Sequence, residues 1–276
     1  MIHFLTLYGK RLYYKRILFH NRKQIKDLFS LLGDSQSKKV VKGIFSGYTA
    51  LIRKPTYYFS RLCENDCCEY HFTDKKGYRV FGTKNPYFLD EFFDFGTSHS
   101  YFDGGAYTGD TIALFRKKTN NRYRCIYAFE PNTKKYEELT TAIKKYNGLI
   151  YTYNCGLDNK DGIAEFFEKD SASRIDPNGN TQIKVIDAGN FLSKLTDNFP
   201  TFIKLDIEGK EWDVLSSMAD YIREYRPYLA ISIYHHLDDI WRIPILIQSI
   251  CPDYKVYIRH QSNYYTETIC YAYANE

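Results

Sequence analysis

Two short stretches carry the residues that can do chemistry. The first is SYFDGGAYTGDTIALF, residues 100–115, where three glycines and two aspartates stand between apolar runs. A surface turn needs one glycine or two; this many lets a ligand touch the backbone without a Cβ in the way. If SYF is a strand, Asp103 lies at its carboxyl end and TIALFRKK begins the next helix. Open α/β sheets bind ligands in the crevice above the carboxyl ends of their strands. The second stretch is FIKLDIEGKEW, residues 202–212. It sets Asp206 at the end of a later strand, Glu208 in the following turn and Gly209 at a helix start. Asp206 and Glu208 alternate with Leu205 and Ile207, so both carboxylates can face one side. Glu208 is as well placed to cap that helix as to take part in a reaction.

The ligand follows from the charges. The spacing D-G-G-A-Y-T-G-D-T is not the dinucleotide fingerprint G-x-G-x-x-G. Two flanking aspartates repel a pyrophosphate and welcome a cation. YAFEP places Glu130 at the end of a second strand, where a carboxylate can accept hydrogen bonds from both ribose hydroxyls. A nucleoside with a positive centre, a free amino group and no phosphate is S-adenosylmethionine. The run LAISIY ends in His235 and His236, and a histidine at that strand end can take a proton from a hydroxyl. His235 is favoured to face the site, with His236 packing or meeting solvent. Asp238 and Asp239 are expected to cap the next helix. Asp206, Glu208 and a histidine would also suit magnesium or manganese, although a divalent metal is not the favoured reading.

With these residues in place the chain resembles the FkbM family of S-adenosylmethionine-dependent methyltransferases, which have the class I methyltransferase fold. The resemblance runs from about Tyr101 to Tyr273. It rests on FDGGAYTGDT, YAFEPN, FIKLDIEGKEWDVL and the SIYHH that follows PYLA. The loop departs from the general pattern D-x-G-x-G-x-G, because Tyr107 replaces the central glycine and would narrow the methionine pocket. The resemblance implies that Asp103, Gly104, Gly105 and Gly109 line the methionyl part. Asp110 and Thr111 would contribute an N-cap and a polar wall, Glu130 would hold the ribose, and Asn154 would meet the adenine edge with Asp187 nearby. It also implies methylation of a hydroxyl on a saccharide or other small molecule, as in cell-surface glycan or secondary-metabolite synthesis. Two rivals stand beside it. One is a nucleic-acid methyltransferase, against which no N/D-P-P-Y/F motif is present. The other is a non-catalytic module that keeps the fold.

These residues need a frame. From residue 99 short β-rich runs alternate with helical patterns, which predicts a mostly parallel α/β sheet with helices on both faces. YKVYIRHQ and TETICYAYA are joined by a short polar connection, so the sheet should end in an antiparallel hairpin strand. Residues 1–95 read as a mainly helical region with a strand pair near 70–82, and 96–276 as the cofactor-binding domain. Between the third strand and TFIKLDIE, in residues 158–182, DNKDGIAEFF looks like a hairpin and SASRIDPNGNTQ like a mobile loop.

Composition limits the rest. The 276 residues are 44% apolar and 26% charged, an ordinary globular balance. Seven cysteines include Cys63, Cys67 and Cys68 near His71, a spacing that matches no closed zinc framework. Reduced thiols and a cytoplasmic location are the expectation. The opening MIHFLTLYGKRLYYKRILF is apolar but cut by lysine and arginine, unlike a signal peptide or a spanning helix. Residues 1–61 hold thirteen lysines and arginines against two aspartates. Such a basic amphipathic arm can rest on an anionic membrane, an acidic glycan or a nucleic acid. Its apolar stripe can equally dock on the protein's own core, which is the reading preferred. Oligomeric state is left open.

Overall fold

The computed structural model describes residues 2–50, 58–63, 69–73, 77, 79–83, 85–96, 98–169 and 173–274. Three helices come first, α1 (Ile2–His20), α2 (Arg22–Leu31) and α3 (Ser35–Thr49), followed by the antiparallel pair β1 (Glu69–Thr73) and β2 (Arg79–Gly82). The alternating part begins with β3 (His99–Gly104), α4 (Asp110–Lys118), β4 (Tyr123–Phe129), α5 (Thr133–Ile143) and β5 (Leu149–Tyr153). An excursion supplies β6 (Gly156–Asp158), β7 (Gly162–Phe167), β8 (Arg174–Ile175), β9 (Thr181–Asp187) and α6 (Ala188–Ser193). The chain returns through β10 (Phe202–Leu205), α7 (Glu211–Ser217), α8 (Ala219–Tyr225), β11 (Tyr228–Ser232), α9 (Asp239–Ile250), β12 (Tyr254–His260) and β13 (Thr268–Ala274).

The main sheet runs β12-β13-β11-β10-β3-β4-β5. Its central strands are parallel, and β13 is antiparallel to both of its neighbours, as the hairpin pattern predicts. Every residue of β3 and β10 is buried. That fits strands covered on both faces, which read as continuous runs instead of alternating ones. Because β10 lies beside β3 on the side opposite β4, the strand order reverses between them. The reversal opens a crevice at their carboxyl ends. Register there pairs Asp103 with Lys204 and Gly104 with Leu205.

The first helices share this core. Leu28, Leu32, Val40, Val41 and Ile44 belong to the same buried cluster as Ile203, Ile231 and Val256. Asp34 caps α3 through the Ser37 amide at 2.7 Å and also receives the buried Arg259 guanidinium at 2.7 Å. Arg259 reaches Glu91 at 3.1 Å as well, so β12 ties both N-terminal segments to the sheet.

Three expectations are corrected. DNKDGIAEFF is not a hairpin, because β9 lies between β6 and β7 in a separate four-stranded sheet. SASRIDPNGNTQ is not an open loop over its described length, since Arg174–Ile175 and the start of β9 both pair with β7. The hydrophobic alternation of GIAEFF needed two partners, and the sequence around Arg174 supplied the second. Cysteines 125, 155, 251 and 270 are buried free thiols, but Cys63 is disulfide-bonded where a reduced thiol was expected. Cys67 and Cys68 lie outside the described residues. Among the described residues no helix is long and apolar enough to cross a membrane.

Candidate active site

The glycine loop leaves β3 and enters α4. Gly105 (φ +80) and Gly109 (φ +88) hold left-handed backbone that other residues adopt at a cost of about 1 kcal/mol or more. A Cβ on Gly105 would collide with the Asp206 carbonyl oxygen. The loop is therefore pressed against the turn after β10, and the Asp206 amide donates to the Gly104 carbonyl at 3.1 Å. Tyr107, the residue in the place of a glycine, is itself left-handed (φ 47). Its ring meets the Lys135 ammonium at 4.7 Å. Gly109, without a side-chain hydrogen bond, is the N-cap of α4, so Asp110 and Thr111 are its first residues and not its cap.

Thr111 instead donates to Asp103 Oδ2 at 2.6 Å. The other oxygen of Asp103 meets Lys204 Nζ at 3.1 Å, with both side chains buried. Lys204 also donates to the Gly104 and Gly105 carbonyls, at 3.1 and 2.7 Å. Burial alone would lower its pKa, but Asp103 and Asp206 outweigh that and hold the ammonium above its ordinary value. Both oxygens of Asp103 are thus engaged inside the protein, and one of the two flanking charges is neutralised.

Glu130 follows β4 and is buried. Its carboxylate accepts the Tyr107 amide at 2.9 Å and the Asn132 amide at 2.8 Å. Burial pushes its carboxyl up to about 7 against the pull of those two bonds. A carboxylate offers about four lone-pair sites, so two remain for a pair of ribose hydroxyls. Asn154 donates its amide to the Glu130 and Pro131 carbonyls at 2.9 and 3.2 Å, bracing the same loop. Asp187 caps α6 through the Asn190 amide at 3.0 Å.

The second group sits across the seam. Asp206 accepts the Tyr87 hydroxyl at 2.8 Å and the Tyr234 hydroxyl at 3.0 Å. His235 Nε2 lies 3.5 Å from Asp206 and 3.7 Å from Glu208, while Nδ1 lies 3.0 Å from Glu211. The ring is 8% exposed and neither nitrogen makes an aligned hydrogen bond. Burial would depress the His235 pKa, but Glu211, Glu208 and Asp206 hold it well above the ordinary value. Burial would raise Asp206, but the charges of His235 and Lys204 and the Tyr87 hydroxyl keep it below the usual carboxylate range. Glu211 is fully buried and accepts the Ile207 amide at 2.8 Å and the Gly209 amide at 3.0 Å. It, not Glu208, secures the turn into α7. Glu208 is left-handed (φ 57), which turns its carboxylate back toward His235. His236 lies over Gly209, where a Cβ would strike its ring. Asp239 accepts the His236 amide at 3.0 Å.

Lys204, Glu211, Tyr87, Tyr234 and Glu267 adjoin these side chains and are residues that sequence reasoning did not single out. Two had a signal. Lys204 is a lysine inside a buried strand, two residues before Asp206 and so on the same face. Glu211 stands one turn after Glu208 in a quoted motif. Tyr87 and Glu267 arrive from distant loops. Glu267 is half-buried and left-handed (φ 61), and burial together with Asp206 pushes its carboxyl up to about 8. Donor atoms of Asp206, Glu211 and His235 lie within 4.8 Å of one another, a spacing that a metal ion also tolerates.

Residues 103–263, from the first carboxylate past the second group, match the methyltransferase FkbM domain. The chain belongs to this family. A hexuronic acid methyltransferase, AglP of Haloferax volcanii, is 23% identical over 141 residues, covering 50% of this chain and 56% of that protein. The crystal structure of an FkbM methyltransferase from Methylobacillus flagellatus superposes with a TM-score of 0.72 at 23% identity, over 94% of this chain and 60% of that one. This FkbM-domain chain thus spans little more than half the length of each of these relatives. The likeness to the solved structure is one of fold.

Proposed function

We propose that the protein is an S-adenosylmethionine-dependent O-methyltransferase whose acceptor is a hydroxyl of a saccharide or other small molecule. The observation that supports this reading is the contact between the glycine loop and the turn holding Asp206: Glu130 accepts an amide of that loop, and His235 lies 3.5 Å from Asp206. When bound, S-adenosylmethionine supplies an electrophilic methyl group on a cationic sulfur. Glu130 offers its remaining lone pairs to the ribose, and Gly105 lets the loop close onto the turn that holds Asp206. His235 would take the acceptor's hydroxyl proton at Nε2, while the bound cofactor would supply the methyl group that replaces it. The Glu211 carboxylate 3.0 Å from Nδ1, with Asp206 and Glu208, would stabilise the imidazolium that results. A neutral ring is needed at the start, so the reaction should run faster as pH rises toward the raised pKa of His235. Glu211 already serves two backbone amides and the imidazole, which favours proton transfer over metal binding at this cluster. That the Haloferax volcanii relative is a hexuronic acid methyltransferase supports a sugar acceptor. The buried free thiols fit a cytoplasmic setting, though the disulfide at Cys63 does not.

Isothermal titration with S-adenosylhomocysteine tests the cofactor part, with saturable one-site binding expected. Transfer of a labelled methyl group to methyl glycosides tests the acceptor part. Binding without transfer to any hydroxyl compound would favour the non-catalytic rival. Absence of binding would end the reading.

A further inference from the structure

Helix α1 presents apolar side chains in two directions. Tyr14, Ile17 and Leu18 turn inward, where Tyr14 meets the Tyr48 ring at 4.9 Å and Ile17 and Leu18 pack on the core. Leu12, Tyr13 and Phe19 turn outward and are 51%, 61% and 64% exposed. Three of the eight large apolar side chains most exposed among the described residues therefore sit on this one helix. Leu12 and Phe19 are seven residues apart, two turns, and so share a face. The expected apolar stripe does dock on the core, and the helix carries a second set of apolar side chains on its outer side. On α1 beside that side and at the start of α2 stand Lys15, Arg16, Arg22, Lys23 and Lys26, all exposed, with Asp27 the acid among them. The Arg22 guanidinium lies 4.8 Å over the Phe19 ring, leaving the ring's other face outward.

We propose that this outward face of α1, extended by the start of α2, docks on an anionic lipid bilayer. The chemistry is that of an interfacial helix: aromatic and aliphatic side chains enter the acyl boundary while the ring of cations meets acidic headgroups. An apolar stripe alone would suit a second protein copy. The density of cations around it opposes self-association of like faces and fits a negative surface. No span is required, because the inward face stays on the core. The inference is independent of the methyltransferase reading, although an enzyme held at a membrane would meet lipid-linked acceptors.

The test is co-sedimentation of the full chain with vesicles of phosphatidylcholine alone and of phosphatidylcholine mixed with phosphatidylglycerol. Binding to the mixed vesicles, weakened by salt, and little binding to the neutral ones are expected. The double variant Leu12→Glu/Phe19→Glu should lose about tenfold or more in partitioning. Each of Lys15→Gln, Arg16→Gln and Lys23→Gln should lose roughly fivefold. Circular dichroism and S-adenosylhomocysteine binding check that the variants fold. The cation variants touch no core contact and keep the test open if the double variant does not fold. Equal binding to both vesicle types, or no binding to either, would overturn the proposal. So would a dimer in light scattering that the double variant abolishes, or single-stranded RNA binding in the absence of vesicle binding.

Discussion

Asp103, at the carboxyl end of β3, and the His235 side chain, just past β11, are both enclosed on either side of β10, yet their charges are satisfied in different ways. Around Asp103 every polar atom described has a defined partner: Thr111 on one oxygen, Lys204 on the other, and two loop carbonyls on the lysine. Around His235 three carboxylates surround a ring that makes no aligned hydrogen bond. The first arrangement is closed and holds the loop's shape. The second stores unbalanced charge that a proton transfer can use. The difference teaches that a motif aspartate can be spent inside the protein: here it fixes the shape of the glycine loop.

Four experiments break or sharpen this contrast. His235→Ala should lower kcat by roughly 10²–10⁴ while leaving S-adenosylhomocysteine affinity unchanged. Kinetics and calorimetry read both, and an unchanged kcat would remove His235 from the reaction. Lys204→Met should destabilise the fold by roughly 3–5 kcal/mol, because Asp103 is left charged and buried. The double variant Lys204→Met/Asp103→Asn should recover much of that loss in denaturant unfolding. If the single variant is as stable as the parent, the first cluster is not the closed unit described.

Glu211→Gln should reduce kcat by about tenfold to a hundredfold, and the shape of its pH profile is the sharper readout. The His235 pKa is held high chiefly by Glu211 against burial. Base catalysis needs the neutral ring, so the parent's rate should climb on the alkaline side. In the variant that climb should shift to lower pH. The linked stability has the opposite sense: a raised histidine pKa stabilises the fold fully below the unfolded value and loses that contribution as pH rises through the folded one. A profile that stays in place would separate Glu211 from the base. The smallest effect concerns Glu130, whose carboxyl sits near 7. Protonation removes an acceptor for the ribose, so cofactor affinity should fall as pH drops below about 7, by up to about tenfold. In Glu130→Gln that pH dependence should vanish.

The parallel sheet was legible because its strands are apolar runs broken by glycine and helical patterning at regular spacing. The antiparallel β13 was legible from the short polar link before it. The four-stranded side sheet was not, because pairing of β6 with β9 is non-local and leaves no mark in either segment. In the site, Asp103, Glu130, Asp206 and His235 could be named from their places at strand ends. The division of labour among them could not. Which face a strand-end side chain takes is periodic, whereas which partner it meets depends on the neighbouring strand and on loops such as those of Tyr87 and Glu267.

By itself the sequence determined the alternating α/β order, the crevice at the strand ends and the residue types gathered there, since periodicity and glycine placement act locally. Only the tertiary structure decided that Lys204 neutralises Asp103, that Glu211 supports His235, and that α1 carries apolar side chains on its outer face. Those outcomes depend on burial, which sets both the cost of an unpaired charge and the exposure of a side chain. Burial is a property of the packed whole and not of any one segment.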